Sequence, residues 1–189
     1  MSITRSILLC MFGRPQGALG RLGGNIMARM NEECGAWVVE LLEIGHDESV
    51  LEVGFGPGVV IQRLSKLAGH VAGIDPSQEM VQQACARNAQ AIESGRVELR
   101  HGSVESLPFG NDTFDKSIAI NSMQVWPDAI AALREIRRVI RSGGRIALGF
   151  TSYSGQRREG LAETLLAAGF TDARVVGRDK DFCALAVRP

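Results

Sequence analysis

The chain has no surplus of charge: 21 lysines and arginines stand against 21 aspartates and glutamates. A polyanion-binding surface would leave a net basic footprint, so nucleic acid is not expected as a partner. The densest basic run, Arg134 to Arg145, is interrupted by Ile136, Val139 and Ile140. At that spacing it reads as an amphipathic helix with a solvated basic face. Cysteine is sparse as well. Cys10, Cys34, Cys85 and Cys183 lie far apart with no C-x-x-C pair, which fits neither a zinc ligand set nor a disulfide framework. No metal site is expected, Cys85 and Cys183 read as small core residues, and a reducing cytoplasm suits the pattern. Long apolar runs are also missing. The N-terminal one, Ile7 to Phe12, is too short to span a membrane and a poor signal peptide, so no transmembrane segment is expected.

At 189 residues the chain is expected to form one domain. Asn31 can cap a first helix with Trp37, Val38, Leu41 and Leu42 on one face, stopped by Gly45. Strands and helices then alternate: strand 50–54, helix 58–68, strand 70–75, helix 77–93, strands 96–100 and 115–120, helix 128–141, strand 144–150. A helix at 156–168 and strands at 171–177 and 182–187 complete the chain. Ser77 and Asp128 are caps, and Gly143-Gly144 a helix terminator. Parallel neighbours need crossover helices, so the alternation predicts an α/β sheet covered on both faces. Only Arg178 to Asp181 separates the last two strands, which makes them antiparallel neighbours. The expected sheet has seven strands, six parallel and one reversed.

The most informative stretch runs from Val50 to Gly58. A short apolar strand enters three glycines at alternate positions, Gly54, Gly56 and Gly58, with Glu52 two residues ahead of them. Glycine lets the backbone turn sharply and come close to a ligand, and the helix that follows favours an anionic group. The spacing is not G-x-G-x-x-G, since Val59 stands at the third place, and no Gly-Lys-Ser/Thr follows. A second strand then ends in Asp75, about 20 residues beyond the first glycine, where an acid can accept both ribose hydroxyls of an adenosine. An aspartate there can also be a helix cap, but Ser77 is the better one and leaves Asp75 free.

Glu52-x-Gly54-x-Gly56-x-Gly58 resembles the first motif of the class I S-adenosylmethionine-dependent methyltransferases, and Gly73 to Met80 resembles their second. Gly102 to Phe109 looks like the loop bordering adenine, Phe114 to Asn121 like the fourth strand, and Leu133 to Leu148 like the helix, turn and fifth strand that close the core. The likeness runs from about residue 48 to 150, and its closest flavour is the small-molecule subgroup similar to quinone-biosynthesis enzymes. It implies a Rossmann-like fold and S-adenosylmethionine as cofactor. The implied cofactor residues are Glu52, Gly54, Phe55, Gly56 and Gly58 from the first motif, with Asp75, Pro76 and Met80 from the second. Gly102, Ser103, Val104 and Glu105 would border the base, and Asn121 and Ser122 end the fourth strand. Met80 is equally a core methionine by its spacing, and Ser103 stands where many relatives carry Asp.

Methyl transfer from a sulfonium is an in-line displacement in which positioning supplies much of the acceleration. No catalytic residue is therefore assigned. His46 and His70 lie away from the expected crevice, and His101 adjoins Gly102. Phe12, Gln124 and Trp126 are candidate acceptor residues, although Trp126 is as readily packing. Thr151 to Gly155 leaves little room for a covering insertion. Residues 1–48 are accordingly expected to form a helical arm or lid on a core of residues 49–189, with Ile7, Leu8, Phe12 and Leu19 favouring an apolar acceptor and Arg14 or Arg21 meeting an anionic group. The alternative is that the arm covers a sheet edge or joins a second copy in a homodimer. The expected activity is methyl transfer to a small or lipid-like acceptor. A catalytically silent cofactor-binding regulator is the rival, and a nicotinamide-dependent reductase is more distant, because the only tyrosine, Tyr153, is followed by Arg157 rather than lysine.

Overall fold

The computed structural model describes the chain from residue 17, and side chains at Arg29 and from Asn31 onward. The expectations placed on Ile7, Leu8, Phe12 and Arg14, and on the side chains of Leu19 and Arg21, lie outside the described residues. A first helix, α1 (Gly17–Leu42), leads into β1 (Ser49–Val53), α2 (Val59–Leu64) and β2 (His70–Asp75). Next come α3 (Gln78–Arg87), α4 (Ala89–Glu93), β3 (Val97–His101) and β4 (Phe114–Ile120). A 3-10 turn at Met123–Val125 precedes α5 (Ala129–Val139), β5 (Ile140–Phe150), α6 (Leu161–Ala167), β6 (Thr171–Arg178) and β7 (Asp181–Val187).

The strands form one sheet in the order β3-β2-β1-β4-β5-β7-β6. Pairings from β3 through β5 are parallel, and β7 runs antiparallel to both β5 and β6. The six-plus-one pattern expected from sequence is therefore present. Two apolar layers cover the faces. One joins Val38 and Leu42 of α1 to Ile61 and Leu64 of α2 and Ala84 of α3. The other sets Leu133, Ile136 and Val139 of α5, and Leu161 and Leu165 of α6, against Leu51, Ile146 and Leu148. The three α5 residues recur at the helical period that the sequence showed, with Asp128 capping through the Ala131 amide at 3.0 Å. Cys183 is buried as expected, whereas Cys85 is only half-buried.

Several boundaries differ, each for a local reason. Asn31 does not start a helix; α1 runs through it, and its side chain is engaged elsewhere. The helix expected over 77–93 breaks at Asn88, whose Nδ2 donates to Gly58 O at 3.1 Å and Ala84 O at 2.9 Å. The helix expected over 58–68 ends at Leu64. Gly143-Gly144 lies inside β5 instead of ending α5, because the chain is already extended from Ile140. The link after β5 runs to Gly160, longer than the sequence suggested. Packing, too, does not divide the chain at residue 48, since Cys34, Val38, Val39 and Leu42 are buried with the core.

Strand order reverses between β1 and β4, and a parallel sheet opens a crevice beyond the carboxyl ends at such a point. The glycine loop lies there. At Gly58, φ is +79° and an added Cβ would stand 2.7 Å from Ala84 Cβ and 2.9 Å from Ala84 Cα. Gly58→Ala is expected to lose about 1–3 kcal/mol of folding stability through backbone strain and crowding of α3, read as a lower urea midpoint.

Candidate functional site

The crevice is a cavity of about 790 Å³ at the carboxyl edge of the sheet. Its floor is Glu52 and the loop from Gly54 to Pro57; β2 contributes Asp75 and Pro76, and α3 contributes Met80. Gly102, Ser103 and Val104 close the β3 side, and Asn121, Ser122 and Trp126 stand on the β4 side. Of the residues expected here, Gly58, Glu105 and Gln124 do not reach the wall. Gly58 packs against α3. Glu105 is exposed, its amide donating to Ser103 Oγ at 3.3 Å, and Gln124 Nε2 donates to the Asn121 carbonyl at 2.7 Å. Phe12 lies outside the described residues.

Asp75 is held from two directions. Its Oδ2 accepts the Gly56 amide and its Oδ1 the Ser77 amide, both at 2.8 Å. Ser77 does cap α3, accepting the Met80 amide at 3.3 Å, but Asp75 is not left free by that cap. Each carboxylate oxygen still has a second lone pair for a hydroxyl. Burial raises the Asp75 carboxyl above its ordinary range, partly offset by those two amides and by His101. His101 itself points back, with Nε2 3.0 Å from the Pro76 carbonyl. That contact needs a proton on Nε2 and places the ring on the β3 side.

Glu52 is more unusual. It is 2% exposed, and its Oε2 has no partner among the described residues. Burial lifts its carboxyl well above the ordinary range and the neighbouring Asp75 adds to the effect, while a hydrogen bond from the Ile61 amide of α2 opposes it. No lysine or arginine lines the cavity among the described residues. A buried carboxylate with one oxygen unpartnered is costly, and the cost falls when a ligand brings a cationic donor. Gly56 lines the same cavity. Its φ is +52°, and an added Cβ would meet nothing within 4 Å, so the space over the loop is open.

Asn121 does something other than expected. It sits at φ +46°, and its Nδ2 donates to Asn31 Oδ1 at 2.8 Å and Thr151 Oγ1 at 2.9 Å. Its Oδ1 accepts the Thr151 amide at 2.9 Å, so both N–H bonds of the amide are spent inside the protein. Ser122 Oγ accepts Trp126 Nε1 at 2.9 Å, and Trp126 packs on the core while also facing the cavity. Sequence reasoning missed Asn31, which lines the cavity from α1. Its distance from every motif left only a capping signal to read.

The methyltransferase domain family matches residues 51–148 of this chain. The chain belongs to the class I S-adenosylmethionine-dependent methyltransferases. It is 30% identical over 182 residues to the uncharacterized methyltransferase YdaC of Bacillus subtilis (strain 168), spanning 89% of this chain and 98% of that one. Its fold is similar to a SAM dependent methyltransferase of Aquifex aeolicus, with TM-score 0.71 and 22% identity over 82% of this chain and 89% of that one. It is also similar to a chain in the complex of the Haloferax volcanii Trm112 methyltransferase activator, with TM-score 0.80 and 18% identity over 88% of this chain and 92% of that one. The cofactor of this methyltransferase is S-adenosylmethionine, and the unpartnered Glu52 Oε2 and open space over Gly56 fit a ligand with an ammonium group and a close approach to the backbone.

Gly56→Ala is expected to weaken cofactor binding at least tenfold in calorimetry, with a smaller relative change in the urea midpoint than Gly58→Ala, because its Cβ enters open space. Glu52 gives a pH prediction whose sign follows from its raised carboxyl. Above about pH 4.5 the unfolded chain has lost a proton that the fold retains, so stability falls as pH rises toward the folded-state value. Glu52→Gln should therefore be more stable than the parent at neutral pH without cofactor, with the difference shrinking on acidification. Thermal unfolding across pH reads both.

Proposed function

We propose that this methyltransferase transfers a methyl group to a small apolar or lipid-like acceptor entering on the β4 side. Bound cofactor supplies an electrophilic methyl on a sulfonium. Asp75 takes the ribose hydroxyls with its remaining lone pairs, and Glu52 takes the ammonium. Gly54, Phe55 and Gly56 let the backbone approach, while Pro76, Met80, Ser103 and Val104 border the base. Gly102 allows the turn out of β3.

The observation that carries the acceptor side is the character of its wall. Val125, 60% exposed, stands with Trp126 and Pro127 along the cavity beyond β4. The titratable groups on the wall, Glu52, Asp75, Glu79 and His101, belong to β1, β2, α3 and β3. Apolar contacts and exclusion of water, with acceptor and methyl held near about 3 Å, are what such a wall contributes.

Calorimetry with S-adenosylmethionine and S-adenosylhomocysteine, followed by labelled methyl transfer to phenols, quinols, thiols and fatty acids, tests the reading. Binding is expected in the micromolar range, and Asp75→Ala should weaken it by about 1–3 kcal/mol through lost charge-assisted hydrogen bonds. Binding without turnover on any acceptor would favour a silent regulator, and turnover confined to charged, strongly polar acceptors would overturn the apolar assignment.

A further inference from the structure

We propose that Asn31, on α1, is a fixed amide donor for the carboxylate of the cofactor's amino-acid group, opposite the Glu52 acceptor. This rests on the reading that the cavity takes S-adenosylmethionine.

The argument begins at Thr151, which is 4% exposed. Its backbone N–H can only donate, and it lies 2.9 Å from Asn121 Oδ1. That fixes which end of the Asn121 amide is oxygen, so Nδ2 is the atom facing Asn31 and Thr151 Oγ1. A donor there requires an acceptor, which makes the near atom of Asn31 its Oδ1. The far atom is then Nδ2, with two N–H bonds and no partner among the described residues. A backbone amide just beyond β5 thus sets the orientation of a side chain on α1.

Elimination on the wall points the same way. An amino-acid group presents an ammonium and a carboxylate. Glu52 offers the acceptor, and with no arginine or lysine on the wall among the described residues, the carboxylate must find N–H donors. Trp126 Nε1 is committed to Ser122 and both N–H bonds of Asn121 are spent. Gln78 and Gln82 ride on α3, after β2. On the β1–β4 side the side-chain donors that remain are Asn31 and the single O–H of Ser122, which already accepts Trp126 Nε1; only Asn31 offers a pair of N–H bonds.

The test uses the full chain and two ligands, S-adenosylhomocysteine and its decarboxylated analogue, titrated calorimetrically into the parent, Asn31→Ala and Asn31→Asp. The aspartate keeps an acceptor for Asn121 while it removes the donor and sets a negative charge against the ligand's carboxylate, so it separates the binding role from the structural one. Asn31→Ala should weaken S-adenosylhomocysteine about tenfold and Asn31→Asp more, while the decarboxylated analogue binds Asn31→Asp unchanged or tighter. Equal losses for both ligands would make Asn31 structural, and unchanged affinity for S-adenosylhomocysteine would equally overturn the assignment. A folded parent that binds neither ligand would sink the functional reading and this inference with it. A parent that binds both, with the variants failing the pattern, sinks the inference alone.

Discussion

The Asp75 carboxylate is the point on which the site depends. It takes one amide from the glycine loop after β1 and one from the entry to α3, each at 2.8 Å. Two backbone segments that leave the sheet from adjacent strands are thereby tied to a single side chain at 5% exposure. Gly56 holds a positive φ in this tie, and the loop would otherwise have to find another acceptor for a half-buried amide. The floor of the cavity and the start of α3 are set by the same two bonds. The glycines permit the loop conformation, and the acid selects it.

Beneath that tie sits Glu52, an acid the fold alone would be better without. Its Oε2 has no partner among the described residues, and the bond that the carboxylate does receive comes from the Ile61 amide of α2. The charged groups at the opposite end of the sheet behave differently. There Lys116 Nζ meets Glu48 at 2.5 Å and also the Glu43 carbonyl, Arg141 meets Asp115 at 2.6 Å, and Arg145 meets Glu43 at 2.9 Å. One edge closes its charges on each other, and the other holds a buried acid, Glu52, with one oxygen unpartnered among the described residues. Local stability and ligand chemistry are separated by the length of a strand, as strain and unpaired charge collected at working sites would require.

Much of the fold was legible because it follows from period and punctuation. Seven expected strands became seven strands, and Ser77 and Asp128 capped where their side chains can reach an amide three residues on. What sequence could not show was competition for hydrogen bonds between distant elements. Asn88 interrupts a helical run because the Gly58 carbonyl, on another element, captures its amide. Asn31 looked like a cap because a solitary asparagine before an apolar stripe has that local use, and nothing in its surroundings betrays Asn121. The site divides in the same way. Glu52, Gly54, Gly56 and Asp75 were legible from spacing, whereas the inward-turned use of Asn121 depends on Thr151, which only the adjacency of β4 and β5 brings near.

That adjacency also gives α1 a place in the site. Lateral packing of Val38 against the sheet fixes how far the helix stands from β5; an added Cβ on Gly149 would lie 2.6 Å from Val38 Cγ2. Two turns back along the same helix, Asn31 reaches the Asn121 amide. The helix is thus held at two heights, by an apolar contact below and a polar one at the rim. A shift of about one residue, near 1.5 Å of rise, would break the polar contact. The wall on the β4 side therefore inherits its precision from core packing more than from the loop that carries Asn121. The residue with the strained φ at that corner is not glycine, which is tolerable because its side chain makes three hydrogen bonds, one to Asn31 on α1 and two to Thr151 just beyond β5.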